Sequence, residues 1–246
     1  MFEEDESTSR GGPLVQMPAC AKMVVNDQFG DFIGRFLEQY FKVYDSDNRE
    51  QLAPAYHENA MISMQANFPN KFADDTVTSD YRPESRNLSF EPIRNNPPRR
   101  DRLLHQKGTQ IIGFLDKLPK TQHDITSFTL DVPFATDRLV TFSVTGAFRE
   151  RNEKPHPFAI RHFSRMFTVV PQGEGLCIVN DNLFITMATK EQSEKSNALF
   201  ILAQETKMNL EWTKTCLDGQ GWNLELARNA FIAAKEKNEI PPEAFS

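Results

Sequence analysis

The feature that most constrains the fold is a change of period along the chain. Between Asn26 and Tyr44, apolar residues recur at helical spacing as Phe29, Phe32, Ile33, Phe36, Leu37, Tyr40 and Tyr44. After Pro119 the period drops to two. In "ITSFTLDVPF" Phe128, Leu130, Val132 and Phe134 fall on one side, and in "LVTFSVTGAF" Val140, Phe142, Val144 and Phe148 do. "FSRMFTV" and "LCIVNDNLFITM" continue the alternation. Side chains alternate across a strand but return to one face of a helix every 3.6 residues, so this second stretch is strand. The breaks "ATDR", "RNEKPHP" and "PQGEG" are of hairpin length, which makes four strands an antiparallel meander. From Ser193 helical spacing returns in "SNALFILAQET", "LEWTKTCL" and "NLELARNAFIAAKEK".

This order predicts an α+β chain, in which helices cover one face of a cone-like curved antiparallel sheet and a small three- or four-helix unit follows. Residues 1–21 read as a disordered acidic leader, 22–188 as the first domain, 189–196 as a short linker and 197–246 as the helical domain. Asn209 and Asn223 suit helix N-caps, and Gly219 and Gly221 suit the turn between the last two helices. "REQLAPAYHENA" reads as a short helical piece, and "TQIIGFLDKLP" as a helix from a Thr109 cap to Pro119. Between them, residues 61–100 are irregular and rich in Pro, Asn and Asp. A loop of that length in a compact domain is functional or shaped by a partner.

Composition narrows the classes of function. Lys and Arg number 28 against 34 Asp and Glu, a net charge of −6, which opposes nucleic-acid binding over the whole surface. The basic stretch "PPRRDRLLHQK" reads as a solvated face. Three separated cysteines, Cys20, Cys177 and Cys216, form neither a disulfide framework nor a metal knuckle. No run approaches the roughly 18 apolar residues of a membrane span.

A cone of this kind can hold a catalytic group, for which Tyr40, Tyr56, His57, Asp131 and His162 are the candidates. A general base needs a second polar group converging on the same point, and no pair here has a defined spacing. The five histidines show no metal-ligand spacing and no glycine-rich phosphate loop occurs, so neither a metal nor another cofactor is implied. Binding is what remains. The 20 phenylalanines fill a wide core or line apolar grooves. Of the two tryptophans, Trp212 sits one turn into a capped helix and is expected in the core. Trp222 lies at a helix junction, where a ring can be shared between core and guest.

In order along the chain, "FLEQYFKVYDSDNREQLAPAYHENA", "LPKTQHDITSF", "GLCIVNDNLF", "MNLEWTKTCL" and "IPPEAF" resemble the carboxy-terminal half of the nuclear RNA export factor (TAP) family. The resemblance implies a nuclear-transport-factor-two-like domain followed by a ubiquitin-associated-like TAP-C domain, and no catalysis. It implies a heterodimer with a small export cofactor of the same fold, in which Arg86 of "ESRN" makes the family's salt bridge. It also implies two sites for phenylalanine-glycine repeats of nucleoporins. Phe29, Phe32, Pro171 and Leu176 match the first, with phenylalanines where relatives usually have leucines, and Cys216 and Trp222 match the second. RNA is met only indirectly, because the family's RNA-recognition and leucine-rich-repeat domains have no counterpart in this sequence. The implied location is the nucleus and the nuclear pore, with shuttling to the cytoplasm. Two alternatives stand beside this reading: a divergent paralogue that tethers silencing or other factors, and a ubiquitin-binding module. The second lacks the glycine and aromatic of typical ubiquitin binders, offering "KMNL" in their place.

Overall fold

The computed structural model describes residues 23–24, 27–68, 81–151, 160–173 and 175–245. The expected leader lies outside these residues. Among the described residues, helices run Asp27–Tyr44 (α1), Glu91–Arg94 (α2), Pro97–Arg102 (α3), Gly108–Lys117 (α4), Lys190–Thr206 (α5), Leu210–Gly219 (α6) and Leu224–Glu236 (α7). Strands run Met23–Val24 (β1), Tyr56–Asn67 (β2), His105–Gln106 (β3), Thr121–Ala135 (β4), Val140–Glu150 (β5), Ile160–Gln172 (β6) and Gly175–Met187 (β7). Short 3-10 turns occupy Arg49–Ala55 and Pro242–Phe245.

The expected meander is present: β4, β5, β6 and β7 pair antiparallel in order. The sheet continues through β2, which lies parallel to β7, in the order β1-β4-β5-β6-β7-β2-β3. One face of this curved sheet wraps α1 and α4. Their Ile33, Leu37, Phe41, Ile111 and Phe114 pack into one core with Phe142, Val144, Phe163 and Phe167 of the strands. Phenylalanine rings fill the cone, with Phe36 edge-on to both Phe142 and Phe167 at 5.9 Å. A void beside Tyr44, Phe148 and Arg165 is only about 10 Å3, about the least that holds one water.

β2 corrects the reading of residues 56–67 as a helical piece followed by an irregular run. Ala60, Ile62 and Met64 do alternate inward, but a register shift between Tyr56 and Met61 breaks the period where the strand starts. A second shift, between Asp131 and Phe134 of β4, adds a residue at Pro133, where the strand cannot donate a ladder bond. The shift turns Phe134 out of the face it was expected to share with Val132, leaving it 50% exposed. A third spans Asp124 to Thr129, and there the Phe128 ring crosses Gly146 so closely that a Cβ at Gly146 would stand 2.7 Å from it. α4 starts after Lys107, at φ 67° and without a side-chain cap, rather than from a Thr109 cap.

The cone also buries charge that the alternation conceals. Arg165 of β6 and Asp181 of β7 lie inside, bonded at 2.8 Å through Nε and at 2.6 Å through Nη2. The Tyr56 hydroxyl donates to Asp181 at 2.7 Å and exchanges a 2.7 Å bond with Tyr40. Arg161 and Glu150 form a second buried pair at 2.8 Å. Arg49, itself buried, uses its guanidinium to close orphan carbonyls of Tyr44 and Pro119, each at 2.8 Å.

The residues expected as a linker, 189–196, are helical from Lys190. Thr189 caps α5 in a reciprocal capping box with Gln192, so residues 190–196 are its first turns rather than a tether. α5 then lies on the outer face of the sheet. Phe200 is buried against Ala147 and Ile160, the Arg149 guanidinium stacks 4.5 Å from its ring centroid, and Ser196 donates to Asp124 at 3.0 Å. α6 and α7 close a small core on α5 through Leu199, Leu202, Leu217 and Ala227. Asn209 and Asn223 cap them as expected, accepting from Trp212 N and Leu226 N.

Candidate functional site

A cleft of about 500 Å3 opens between α1, the 3-10 turn after it and the start of β7. Helical spacing places Phe32, Phe36, Tyr40 and Val43 along one stripe of α1, and that stripe is one wall. Leu52, Pro54 and Ala55 form the opposite wall, Gly175 and Leu176 close the end, and Arg35, Gln39 and Gln51 supply the polar lip. Of the residues anticipated for a first apolar site, Phe32 and Leu176 therefore share one cleft. Pro171 is paired across the β6–β7 ladder with Leu176 but is exposed and lies beside the lining. Phe29 lies one turn before Phe32, and its side chain is outside the described residues. Sequence alone does not reveal the 3-10 turn as a wall, because nothing in "QLAPA" says that it packs beside α1.

Tyr40 ties this cleft to the buried network behind it. Burial pushes the hydroxyls of Tyr40 and Tyr56 well above the ordinary tyrosine range, so both stay neutral donors and acceptors. The Arg165 charge is opposed by burial, but the Asp181 carboxylate outweighs that and holds it firmly protonated. Of the residues considered for catalysis, only Tyr40 and Tyr56 come together. His57 bonds the backbone of Asn59, while His162, held below the ordinary imidazole range by burial, lies near Gln192 of α5. Among the described residues no group of three or more His, Cys, Asp or Glu could hold a metal ion.

The second candidate site is built where α6 ends. Gly221 and Trp222 both take left-handed backbone, φ 59° and 61°, and Trp222 N donates to Leu217 O at 2.8 Å. Left-handed backbone suits glycine and is strained for tryptophan. The turn fixes the Trp222 ring half-buried against the small helical core, its Nε1 donating to Asp218 at 2.9 Å and Lys195 Nζ 5.6 Å from its centroid. Cys216 packs on the same core, with Sγ 3.5 Å from Ala227 O, and burial raises its thiol pKa, so it is a small neutral group. Trp212 departs from expectation. It is 38% exposed on the outer side of α6, because Thr213 and Leu217 take the inward positions.

The third element is Arg86. Ser85 bridges the free edge of β2 at Met64, Arg86 N donates to Met64 O at 2.8 Å, and its Nε donates to Arg100 O at 3.1 Å. Among the described residues the Arg86 guanidinium makes no ion pair. Nearby, the outer face of the sheet presents uncharged rows from β5 to β2, the first of which meets Asp131 at its β4 end. One row runs Ser143, Met166, Asn182, Ser63 and the next Thr145, Ser164, Phe184, Gln65. Met166 stands 49% exposed among them.

A helix-filled cone with a three-helix unit docked on its sheet defines a nuclear-transport-factor-two-like protein with a carboxy-terminal helical domain. The family model for the nuclear RNA export factor NTF2 domain matches residues 32–186, and that for the TAP C-terminal domain matches residues 199–245. The chain belongs to the nuclear RNA export factor family. Nuclear RNA export factor 2 of Homo sapiens is 33% identical over 233 residues, covering 86% of this chain and 37% of that protein. Nuclear RNA export factor 3 of Homo sapiens is 34% identical over 189 residues, covering 76% and 34%. The chain thus spans little more than a third of these relatives. Among solved structures, the C. albicans Mtr2–Mex67 M domain complex is similar at 25% identity and TM-score 0.54, over 66% of this chain and 97% of that one.

Proposed function

We propose that this chain is the transport half of an mRNA export factor: it pairs with a small cofactor of the same cone fold and carries cargo through pores by gripping phenylalanine-glycine repeats of nucleoporins. It catalyses no reaction. The observation that carries the reading is the cleft in which Phe32 and Leu176 meet. Its apolar walls take a phenyl ring, and Gln39 and Gln51 at the lip meet the flanking peptide amides. Cys216 and Trp222 supply the second site, in the carboxy-terminal domain, residues 197–246. Pro171 extends the first site at its margin, and Phe29 belongs to the same site in this reading.

A phenyl ring entering either site buries on the order of 100 to 150 Å2, about 2 to 4 kcal/mol before association costs. Each contact is weak, and two on one chain give avidity while each still releases quickly. The uncharged part of the outer face from β5 to β2, with Arg86 at its edge, suits a second sheet carrying one acidic side chain. That cofactor role draws support from the C. albicans relative, whose M domain is in a complex with Mtr2. RNA is met only indirectly, through domains of the family that this sequence does not contain, and the assembly shuttles between nucleus and cytoplasm.

Titration with a phenylalanine-glycine repeat peptide, followed by Trp222 fluorescence and by calorimetry, tests the reading. Saturable binding that weakens in Leu176→Asp and again in Trp222→Ala is expected. A flat titration would sink it and favour a tethering role without pore contact. Arg86→Glu is expected to abolish copurification with the small cofactor.

A further inference from the structure

Beyond the sites above, one surface departs from the character of the chain. Residues 81–107 hold Arg82, Arg86, Arg94, Arg99, Arg100, Arg102 and Lys107 against only Glu84, Glu91 and Asp101, within a chain of net charge −6. Folding makes this stretch one lobe. Ser85 pins it to the end of β2, accepting from Ala66 N at 3.0 Å, and Ile93 anchors α2 as a buried side chain. Asn96 caps α3, accepting from Arg99 N at 3.1 Å.

Between the end of β2 and these two short helices lies a cleft of about 590 Å3. Phe68, Pro83, Phe90 and Ile93 give it apolar walls, while Arg82 and Arg99 stand in the same lining. Phe90 is 57% exposed there, more than any other large apolar side chain among the described residues. Arg94 pairs with Glu91 at 3.9 Å, but the arginines at the cleft are not consumed internally. Glu84 is engaged by Lys117 at 3.0 Å and His105 at 3.2 Å, and among the described residues neither Arg82 nor Arg99 makes an ion pair.

We infer that this cleft docks a short acidic peptide segment of another protein, with one bulky apolar side chain inserted against Phe90 and Ile93 and flanking carboxylates on Arg82 and Arg99. Charge complementarity selects the sign: two guanidiniums without acidic partners beside an apolar wall leave the carboxylates for the ligand to bring. The extent of the lobe selects a peptide over a nucleic-acid strand. A strand runs past it onto the acidic remainder of the chain, whereas a peptide of a few residues ends within about one Debye length of the arginines. The interspersed Glu84, Glu91 and Asp101 interrupt an even row of phosphates but leave room for two or three carboxylates. Arg86, assigned to the cofactor, faces the β2 edge and α3 and is not required here.

The test is fluorescence anisotropy of the full chain with a labelled seven-residue peptide, a central Phe flanked by Asp and Glu. Saturable binding is expected, weakened about tenfold or more in Arg82→Glu/Arg99→Glu and in Phe90→Ser, and weakened by added salt. Arg82 and Phe90 are exposed and Arg99 is partly so, and unchanged thermal unfolding of the variants verifies that they fold. Replacing the central Phe of the peptide by Ala is expected to remove most of the affinity. Absence of saturable binding, or binding indifferent to both variants, overturns the inference. So does an oligouridine probe that binds more tightly than the peptide and loses affinity in Arg82→Glu/Arg99→Glu, an outcome that assigns the lobe to nucleic acid.

Discussion

Asp181→Ala tests how far the cleft on α1 depends on the buried charge behind it. Asp181 accepts two bonds from Arg165 and one from Tyr56, all at 2.6 to 2.8 Å, and both charged residues are about 1% exposed. Removing the carboxylate leaves a guanidinium inside the cone with only the tyrosine hydroxyls as acceptors. Breaking one side of a buried pair costs about 3 to 5 kcal/mol. For a chain of this size, each kcal/mol lowers the melting temperature by about 2 to 4 °C, so a fall of about 6 to 20 °C is expected by calorimetry. Arg165→Met/Asp181→Leu removes both charges at similar volume and leaves Tyr40 and Tyr56 bonded to each other. It is expected to unfold at a higher temperature than Asp181→Ala. Tyr40 also lines the cleft, so at temperatures where Asp181→Ala is still folded its repeat-peptide affinity is expected to fall. A shift below about 3 °C for Asp181→Ala, or a double variant worse than the sum of its singles, would show that the pair does not hold the cone together.

Acid is expected to destabilise the fold through His123. Burial holds this imidazole below its ordinary value of 6.5, so the unfolded chain takes up a proton first as pH falls. Stability is therefore full above about pH 6.5 and is lost below it. Asp45 acts in the same direction further down: burial opposes its charge, but the bonds from His123 and Thr121 outweigh that and keep its carboxyl below the ordinary range. Melting temperatures of the wild type and His123→Phe between pH 7 and 5 are expected to show the shallower slope in the variant. Gly146→Val drives a side chain into the Phe128 ring and is expected to cost about 1 to 3 kcal/mol by denaturant titration. Phe200→Asp puts a charge into the seam between α5 and the sheet. Hydrogen exchange should then show faster opening of Ala147 and Ile160 amides, with the Leu199, Leu202 and Leu217 core less affected.

Much of this architecture was legible because the sheet's exposed and buried faces alternate cleanly. β5 reads directly, with Val140, Phe142, Val144 and Phe148 all buried. The period misled where a bulge changed its phase, as at Phe134, and where charge sits inside, as at Arg165 and Asp181. An inward Arg has the same spacing as an outward one, and only its partner 16 residues on, in the neighbouring strand, tells them apart. Trp212 shows the limit of counting turns in a short helix: capping fixed where α6 starts, but Thr213 rather than Trp212 faces the neighbouring helices. The α1 stripe that lines the first cleft was visible in sequence. The 3-10 wall facing it and the docking of Phe200 were not, since both depend on which surfaces meet.

The Tyr40, Tyr56, Arg165 and Asp181 network sets a timetable for synthesis. Tyr40 and Arg165 are 125 residues apart, as are Tyr56 and Asp181. At about 5 to 20 residues per second, α1 leaves the ribosome roughly 6 to 25 s before the strand that supplies its buried partner. Through that interval the stripe of Phe36, Leu37 and Phe41 meets at most β4 and β5 and lacks the β6 rings Phe163 and Phe167 that complete its cover. The nascent chain must be shielded until β6 and β7 appear, whereas α5, α6 and α7, whose core contacts are close in sequence, close as soon as they are made.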